Sequence, residues 1–144
     1  MALEIIHKTV FVLMFLMFLY GNYIIFLKLM TLNKRPNSTP KELFSFVENF
    51  KKGLWFLDFG ATTAPLLGLM GTILALIIAF QELSKKGLSG ASEISQAIGL
   101  ALVATAIGIA LSLWFYLWFK FFQYRINHIK AEAKIKILEA YSNE

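Results

Sequence analysis

Cysteine is absent from this chain of 144 residues, and histidine occurs only twice. Without cysteine the chain can form neither a disulfide nor a thiolate metal site. His7 and His128 are too far apart in sequence to form a local metal-binding motif. The sequence also lacks a hydrolase triad and a phosphate-binding loop. We therefore expect no metal, no cofactor and no enzymatic activity.

Charged residues are also scarce, at 16%, whereas hydrophobic residues make up 58% and the mean hydropathy is +0.64. Three stretches carry no charge, residues 9–27, 59–80 and 94–119. Each is near or above the ~20 residues that cross the hydrocarbon core as a helix. The sequence therefore predicts an all-α membrane protein with three transmembrane helices. We expect the first span to be retained as an anchor, because no small-residue cleavage site follows it.

The basic residues are segregated along the chain. Eleven of the fourteen lie within residues 28–52 and 120–136, which the positive-inside rule places in the cytoplasm. We expect one membrane domain over residues 1–144, with its N-terminus outside and its C-terminus inside. The net charge of +5 then indicates membrane topology and contact with lipid, not binding to nucleic acid. The predicted spans are 9–30, 58–80 and 94–120, with cytoplasmic parts 31–57 and 121–144 and a periplasmic loop 81–93.

Sequence signals mark several helix ends. A short polar connector, residues 33–40, is followed by a helix start in which Thr39 is the N-cap and Pro40 the first helical residue. Ser92 is predicted to be the N-cap of the third helix. Beyond residue 119 this helix is expected to continue into the cytoplasm. An apolar stripe there predicts packing between subunits, and its members are Phe122, Ile126, Ile129, Ala133, Ile137 and Ala140.

Small residues recur at helical spacing in the second and third spans. Small side chains let helix backbones approach closely, which is the main source of attraction between helices in lipid. Because the connecting loop is short, these two spans are expected to be antiparallel neighbours, and a local kink is expected at Pro65. We call the two rows the small-residue seams. They comprise Ala61, Pro65, Gly68, Thr72, Ala75 and Ala79 in span two, and Ala97, Ala101, Thr105, Gly108 and Ser112 in span three.

Two threonines are the candidate functional residues. Thr72 and Thr105 are expected within about one helical turn of each other in depth. Their hydroxyls could line an ion pathway or face a partner, or they could bond the backbone carbonyl one turn back. Asp58 could be a vestibule charge, although a solvated interfacial carboxylate is the favoured interpretation. The three uncharged stretches contain no ionisable relay group, so a titrating group for ion conduction would have to come from another polypeptide.

The segments APLLGLMGT (64–72) and IGLALVATAIGI (98–109) together resemble the MotA/TolQ/ExbB proton-channel family, in its ExbB/TolQ branch. The resemblance implies a bacterial inner-membrane pentamer around a dimer of an ExbD/TolR-like single-span partner. That partner carries an intramembrane aspartate, and the complex converts proton motive force into work at the envelope, through a TonB- or TolA-like protein. The family's pore threonines fall on Thr72 and Thr105, and its second-span proline falls on Pro65. The helix-packing positions are then Pro65, Gly68, Ala75, Ala101 and Gly108.

The chain departs from the family at several points. Leu100 stands where a glutamate is usual, and no proline follows Thr105 closely. The first cytoplasmic segment is short, so a flagellar role is not expected. Two other functions stay open: a structural or assembly protein without ion conduction, and a small transporter subunit. The sequence does not show whether H⁺ or Na⁺ would be the conducted ion, because hydroxyl-lined seams are compatible with both.

Overall fold

Three long helices form the chain in a computed structural model, which describes residues 2–34 and 39–143 and only the backbone of residues 2, 3, 88 and 89. Helix α1 is Ala2–Asn33, α2 is Pro40–Lys86 and α3 is Ala91–Ser142, with a short 3₁₀ turn, Gly87–Gly90, between α2 and α3. All three helices are long and apolar enough to cross a membrane. The prediction of an all-α chain with three such helices is confirmed.

The start of α2 agrees with the sequence signals. The helix begins at Pro40, and the backbone amide of Glu42 donates to Thr39 Oγ1 at 3.5 Å. The amide of Leu43 donates to the Thr39 carbonyl at 3.1 Å. Thr39 is therefore the N-cap, as predicted. Residues 35–38 of the connector before it lie outside the described residues.

The connection between α2 and α3 is shorter than the sequence suggested. Residues 81–86 continue α2, because Gln, Glu, Leu and Lys are good helix formers. The helix ends where Gly87 takes a φ of +64°, a left-handed conformation that glycine adopts without steric cost. Because α3 begins at Ala91, Ser92 lies inside its first turn, and the predicted N-cap at Ser92 is wrong.

The residues fall into two compact units. The first unit contains the described residues of 1–20 and 60–114, and the second contains those of 21–59 and 115–144. In the first unit Val10 of α1 lies against Gly71 of α2. In the second unit the ring of Phe115 lies against Gly21. Each unit therefore contains a part of all three helices.

The core of the second unit corrects one expectation. Phe122, Ile126, Ile129 and Ala133 are each 2% exposed or less within the single chain, and the ring of Phe122 lies 5.6 Å from that of Phe50 on α2. This part of the apolar stripe therefore packs inside one chain and not between subunits. The physical reason is that the apolar first turns of α2, which begins at Pro40, pack against this part of α3 and cover it within the chain. Farther along, Ile137 and Ala140 are exposed.

The core of the first unit depends on a close approach of α2 and α3. A Cβ atom added at Gly108 would lie 2.6 Å from the carbonyl oxygen of Ala64, and one added at Gly68 would lie 3.0 Å from the Ala104 carbonyl oxygen and the Thr105 Cα. These obstructing atoms belong to the backbone, so a side-chain rotation cannot relieve the contact. The two small-residue seams therefore face each other, and the antiparallel pairing is confirmed.

We predict that Gly108→Ala destabilises the chain by about 1–3 kcal/mol, because the added methyl group overpacks a contact with a backbone carbonyl. Gly99→Ala is the matched control on the same helix, since a Cβ there meets nothing within 4 Å. It should leave stability unchanged or raise it by up to about 1 kcal/mol. The free energy of unfolding in detergent micelles measures both. Equal effects of the two substitutions would contradict the close approach at Gly108.

Candidate functional site

The two threonines predicted as site residues meet in the first unit. Thr72 projects from α2 and Thr105 from α3, and their hydroxyl oxygens lie in direct hydrogen-bond contact. Both side chains are half-buried. The expected similarity in depth of the two hydroxyls is therefore present in the structure.

Each threonine hydroxyl also lies within reach of a carbonyl on both helices. Thr72 Oγ1 is 3.1 Å from the Gly68 carbonyl oxygen on its own helix and 3.0 Å from the Ala101 carbonyl oxygen on α3. Thr105 Oγ1 is 3.3 Å from the Ala101 carbonyl oxygen and 3.2 Å from that of Gly68. The arrangement is reciprocal, because each hydroxyl shares the same two acceptors.

The number of protons limits what this cluster does at any moment. Each hydroxyl supplies one O–H donor and can also accept. When Thr72 donates to Thr105, Thr105 donates to one of the two carbonyls, and the reverse arrangement is equivalent. Rotation of the two hydroxyls exchanges these states without moving a heavy atom. Both O–H groups are used in each of these states, so one hydroxyl must leave its carbonyl before it can donate to water or to an anionic oxygen. The pair does not titrate near neutral pH.

The other predicted packing positions surround this pair. Gly68 and Gly108 form the close helix contact, and Ala75 and Ala101 are buried at 1% and 0% exposure. The sequence interpretation missed Ala64 and Ala104, which are equally buried. Their signal was available, since each lies four residues before a seam glycine and therefore on the same helix face.

Pro65 leaves one carbonyl of α2 without its helical hydrogen-bond donor, and α3 supplies a donor in its place. Proline has no backbone N–H, so the carbonyl of Ala61, four residues earlier, loses its usual helical donor. In the structure the hydroxyl of Ser112 on α3 donates to that carbonyl, while α2 continues as one helix through Pro65. A buried carbonyl in lipid needs such a donor from a neighbouring helix. Sequence reasoning placed Ser112 on the seam but did not find this function.

Asp58 belongs to the second unit, apart from the threonine pair. It is exposed and lines a pocket of about 260 Å³ together with Lys51, Trp55, Gln123 and Asn127. Leu54, Phe119 and Ile126 complete the lining. This mixed setting is compatible with either interpretation of Asp58, a vestibule charge or a solvated carboxylate.

Metal-ligating side chains do not cluster in the part of the chain that the structure describes. Within residues 2–34 and 39–143, no group of three or more His, Asp or Glu side chains is placed to hold a metal ion. The polar groups at the helix contact are instead hydroxyls and carbonyls of Thr72, Thr105, Gly68 and Ala101.

We predict that Ser112→Ala costs about 0.5–1.5 kcal/mol, because it leaves the Ala61 carbonyl buried without a donor. The same substitution in a Pro65→Ala background should cost less, since alanine at position 65 restores the helical N–H donor. A double-mutant cycle on the free energy of unfolding measures this coupling. Ser142→Ala, at the exposed end of α3, is the control and should have little effect. An equal cost of Ser112→Ala in both backgrounds would show that the two residues act independently.

Comparison with known proteins places this site in a family context. Residues 34–135 match the model of the MotA/TolQ/ExbB proton channel family. A biopolymer transport protein ExbB from Aquifex aeolicus is 35% identical over 77 residues, covering 46% of this chain and 52% of that protein. A biopolymer transport protein ExbB from Helicobacter pylori strain J99 is 36% identical over 62 residues, covering 43% of each chain. No solved structure matches at a comparable level of significance.

The chain spans about half the length of the curated relatives it matches. The family match, in contrast, covers more than half of the present chain and includes both seams, Pro65, Thr72 and Thr105. The chain therefore belongs to the MotA/TolQ/ExbB proton channel family and is ExbB-like within it.

Proposed function

We propose that this chain is a channel subunit, not an enzyme, of an ion-driven motor in the bacterial inner membrane. In this proposal it forms a homo-oligomer, a pentamer, around a dimer of an ExbD/TolR-like single-span partner. The complex converts proton motive force into mechanical work or transport at the cell envelope, with a TonB- or TolA-like protein as the receiver. Family membership and the contact between Thr72 and Thr105 support the proposal.

The single observation that carries the proposal is the threonine pair in a span region without ionisable side chains. Thr72 and Thr105 bring two hydroxyls together where residues 59–80 and 94–119 carry no charge. Hydroxyls can hydrogen-bond a carboxylate or hold water, whereas proton transfer through a membrane normally uses an ionisable group. The partner's aspartate would supply that group, and the threonines would donate to it or to the water beside it.

Exposed apolar surface supports an assembled or lipid-embedded state. Large apolar side chains are exposed along both seam helices, on the sides turned away from the helix contact. Exposed patches of this kind mark contact with lipid or with other proteins. Those on α2 include Leu66, Leu69, Met70, Ile73 and Ile77, and those on α3 include Leu102, Val103, Ile109, Leu113 and Leu117.

A second candidate, a packing protein without ion conduction, is favoured by one specific observation. Both hydroxyls are within hydrogen-bond distance of backbone carbonyls, at 3.0–3.3 Å. In that function the threonines would only join α2 to α3. The two candidates differ in what removal of the hydroxyls does to ion transfer when the fold is preserved.

Ion transfer should require Thr72 and Thr105 together with the partner. Valine keeps the shape of threonine and removes the hydroxyl, so Thr72→Val and Thr105→Val should each impair proton uptake by proteoliposomes that contain the complex. The expected cost in stability is small, about 0.6 kcal/mol for an average hydrogen bond between transmembrane helices. Uptake is measured with a pH-sensitive dye inside the vesicles, after co-purification has shown that the complex is assembled.

Thr62→Val is the matched control, because Thr62 lies on α2 but is exposed. It should leave uptake unchanged. The chain without its partner should leak little, since it provides no titrating group between the threonines and the ends of its spans. Full uptake by the double Thr72→Val/Thr105→Val variant would favour the packing protein over the motor.

The proposed topology has the N-terminus in the periplasm and the C-terminus in the cytoplasm, which the distribution of basic residues supports. Because the chain has no cysteine, single introduced cysteines can report the side of the membrane. Lys85→Cys should react with an impermeant maleimide added outside spheroplasts, whereas Lys134→Cys should react only after permeabilisation. Both positions are exposed. The reverse labelling pattern would reject this topology.

A further inference from the structure

A second polar site lies at the end of the first unit where α1 begins. A pocket of about 730 Å³ opens there among the first turns of α1, the last turns of α2 and the first turns of α3. We call it the His7 pocket. Its lining includes Glu4, His7 and Lys8 of α1, Glu82 and Lys86 of α2, and Glu93, Gln96 and Leu100 of α3.

His7 is the unusual member of this lining. His7 is 5% exposed, and among the polar and charged residues that the structure describes it is the one that is buried. Its Nε2 atom is buried and has no hydrogen-bond partner among the described residues. An unpaired polar atom in a buried position costs free energy, so it calls for a ligand or a function.

The charges around the pocket suggest the ligand. Glu4 pairs with Lys8 at 4.0 Å, and Glu93 pairs with Lys86 at 3.5 Å. Glu82, in contrast, has no ion-pair partner among the described side chains. Three carboxylates and two ammonium groups leave the pocket with one negative charge while the imidazole is neutral. A single proton on His7 would bring that sum to zero.

We propose that His7 is a proton-binding site at the water-facing end of the first unit. The inference rests on the proposed function and extends it, by giving this chain an ionisable group of its own near one end of the ion pathway. A hydronium ion in the pocket transfers its proton to an imidazole nitrogen and leaves as water. Burial lowers the pKa of His7, and the negative charge of Glu82 in the same pocket would oppose this lowering.

The position of the pocket relative to the threonines supports this function. Leu100, in the lining of the pocket, precedes Thr105 by five residues on α3, a rise of about 7.5 Å along the helix. The lining of the pocket therefore comes within about one and a half helical turns of Thr105 along α3. Histidine suits this function because its ordinary pKa lies close to neutral pH, although burial lowers the pKa of His7 below that ordinary value.

The first test is a titration of the full chain in lipid nanodiscs, followed by ¹⁵N NMR of the imidazole ring. A His128→Gln background leaves His7 as the single histidine. Its ring signals should titrate with a midpoint below that of an exposed histidine, because burial lowers the pKa of His7. Glu82→Gln should move the midpoint to still lower pH, because one negative charge is removed. Glu139→Gln, at the exposed end of α3 in the second unit, is the control and should leave the midpoint unchanged.

Three results of this titration would overturn the proposal. The first is a His7 ring that stays neutral throughout the titration. The second is a midpoint unaffected by Glu82→Gln, which would contradict the charge argument. The third is a His7 signal captured by equimolar Zn²⁺, which would indicate a metal site in place of a proton site.

The second test separates this proposal from the motor function. In proteoliposomes with the partner, His7→Gln should slow proton uptake several-fold and remove the part of its pH dependence that coincides with the His7 titration. If the wild-type complex takes up no protons while His7 still titrates, the motor function fails and the proton site stands. If wild type and His7→Gln share one pH–rate profile, the motor function stands and the inference about His7 is wrong.

Discussion

The close contact of α2 and α3 is the constraint on which the first unit depends. At Gly108 the α3 backbone is so near the Ala64 carbonyl that a single added methyl group would overlap it. Lipid offers helices no hydrophobic reason to associate, so their attraction comes from van der Waals contact and hydrogen bonds between backbones that approach closely. The seams supply glycine and alanine at the contact, and this leaves room for the backbones to meet.

Close approach also makes the polar chemistry of the site possible. A threonine side chain is short, so its hydroxyl reaches a carbonyl on the opposite helix only where the two backbones nearly touch. Thr72 reaches Ala101 in this way, and Thr105 reaches Gly68. Ser112 uses the same proximity to satisfy the carbonyl that Pro65 leaves without a donor. The close approach of the two backbones therefore allows tight packing, provides a hydrogen-bond donor for the Ala61 carbonyl, and brings together the hydroxyls of the candidate ion pathway.

In the proposed motor, the chemical roles of this chain and of its partner would differ because of the side chains that this chain provides. The hydroxyl pair can exchange its hydrogen-bond donor and acceptor roles while it stays uncharged, which would suit contact with the carboxylate of the proposed partner. It cannot hold a proton at equilibrium near neutral pH. The acidic, basic and histidine side chains of the chain lie outside the stretches 9–27, 59–80 and 94–119, and they include Asp58 and the charged residues around His7. Conduction would then depend on which titrating group is brought beside Thr72 and Thr105.

Sequence alone determined the three helices, the cap at Thr39 and the identity of the two seams, because hydrophobic length, capping chemistry and helical spacing are local properties. It also predicted that Thr72 and Thr105 lie at similar depth in the membrane, since depth follows from counting residues along a helix. Only the tertiary structure decided which groups meet: Ser112 with the Ala61 carbonyl, Phe122 with Phe50 inside one chain, and His7 with the acidic and basic side chains of one pocket. Periodicity identifies the face of a helix, but it carries no information on the partner of that face or on the axial register between two helices. Those depend on how all three helices pack at once.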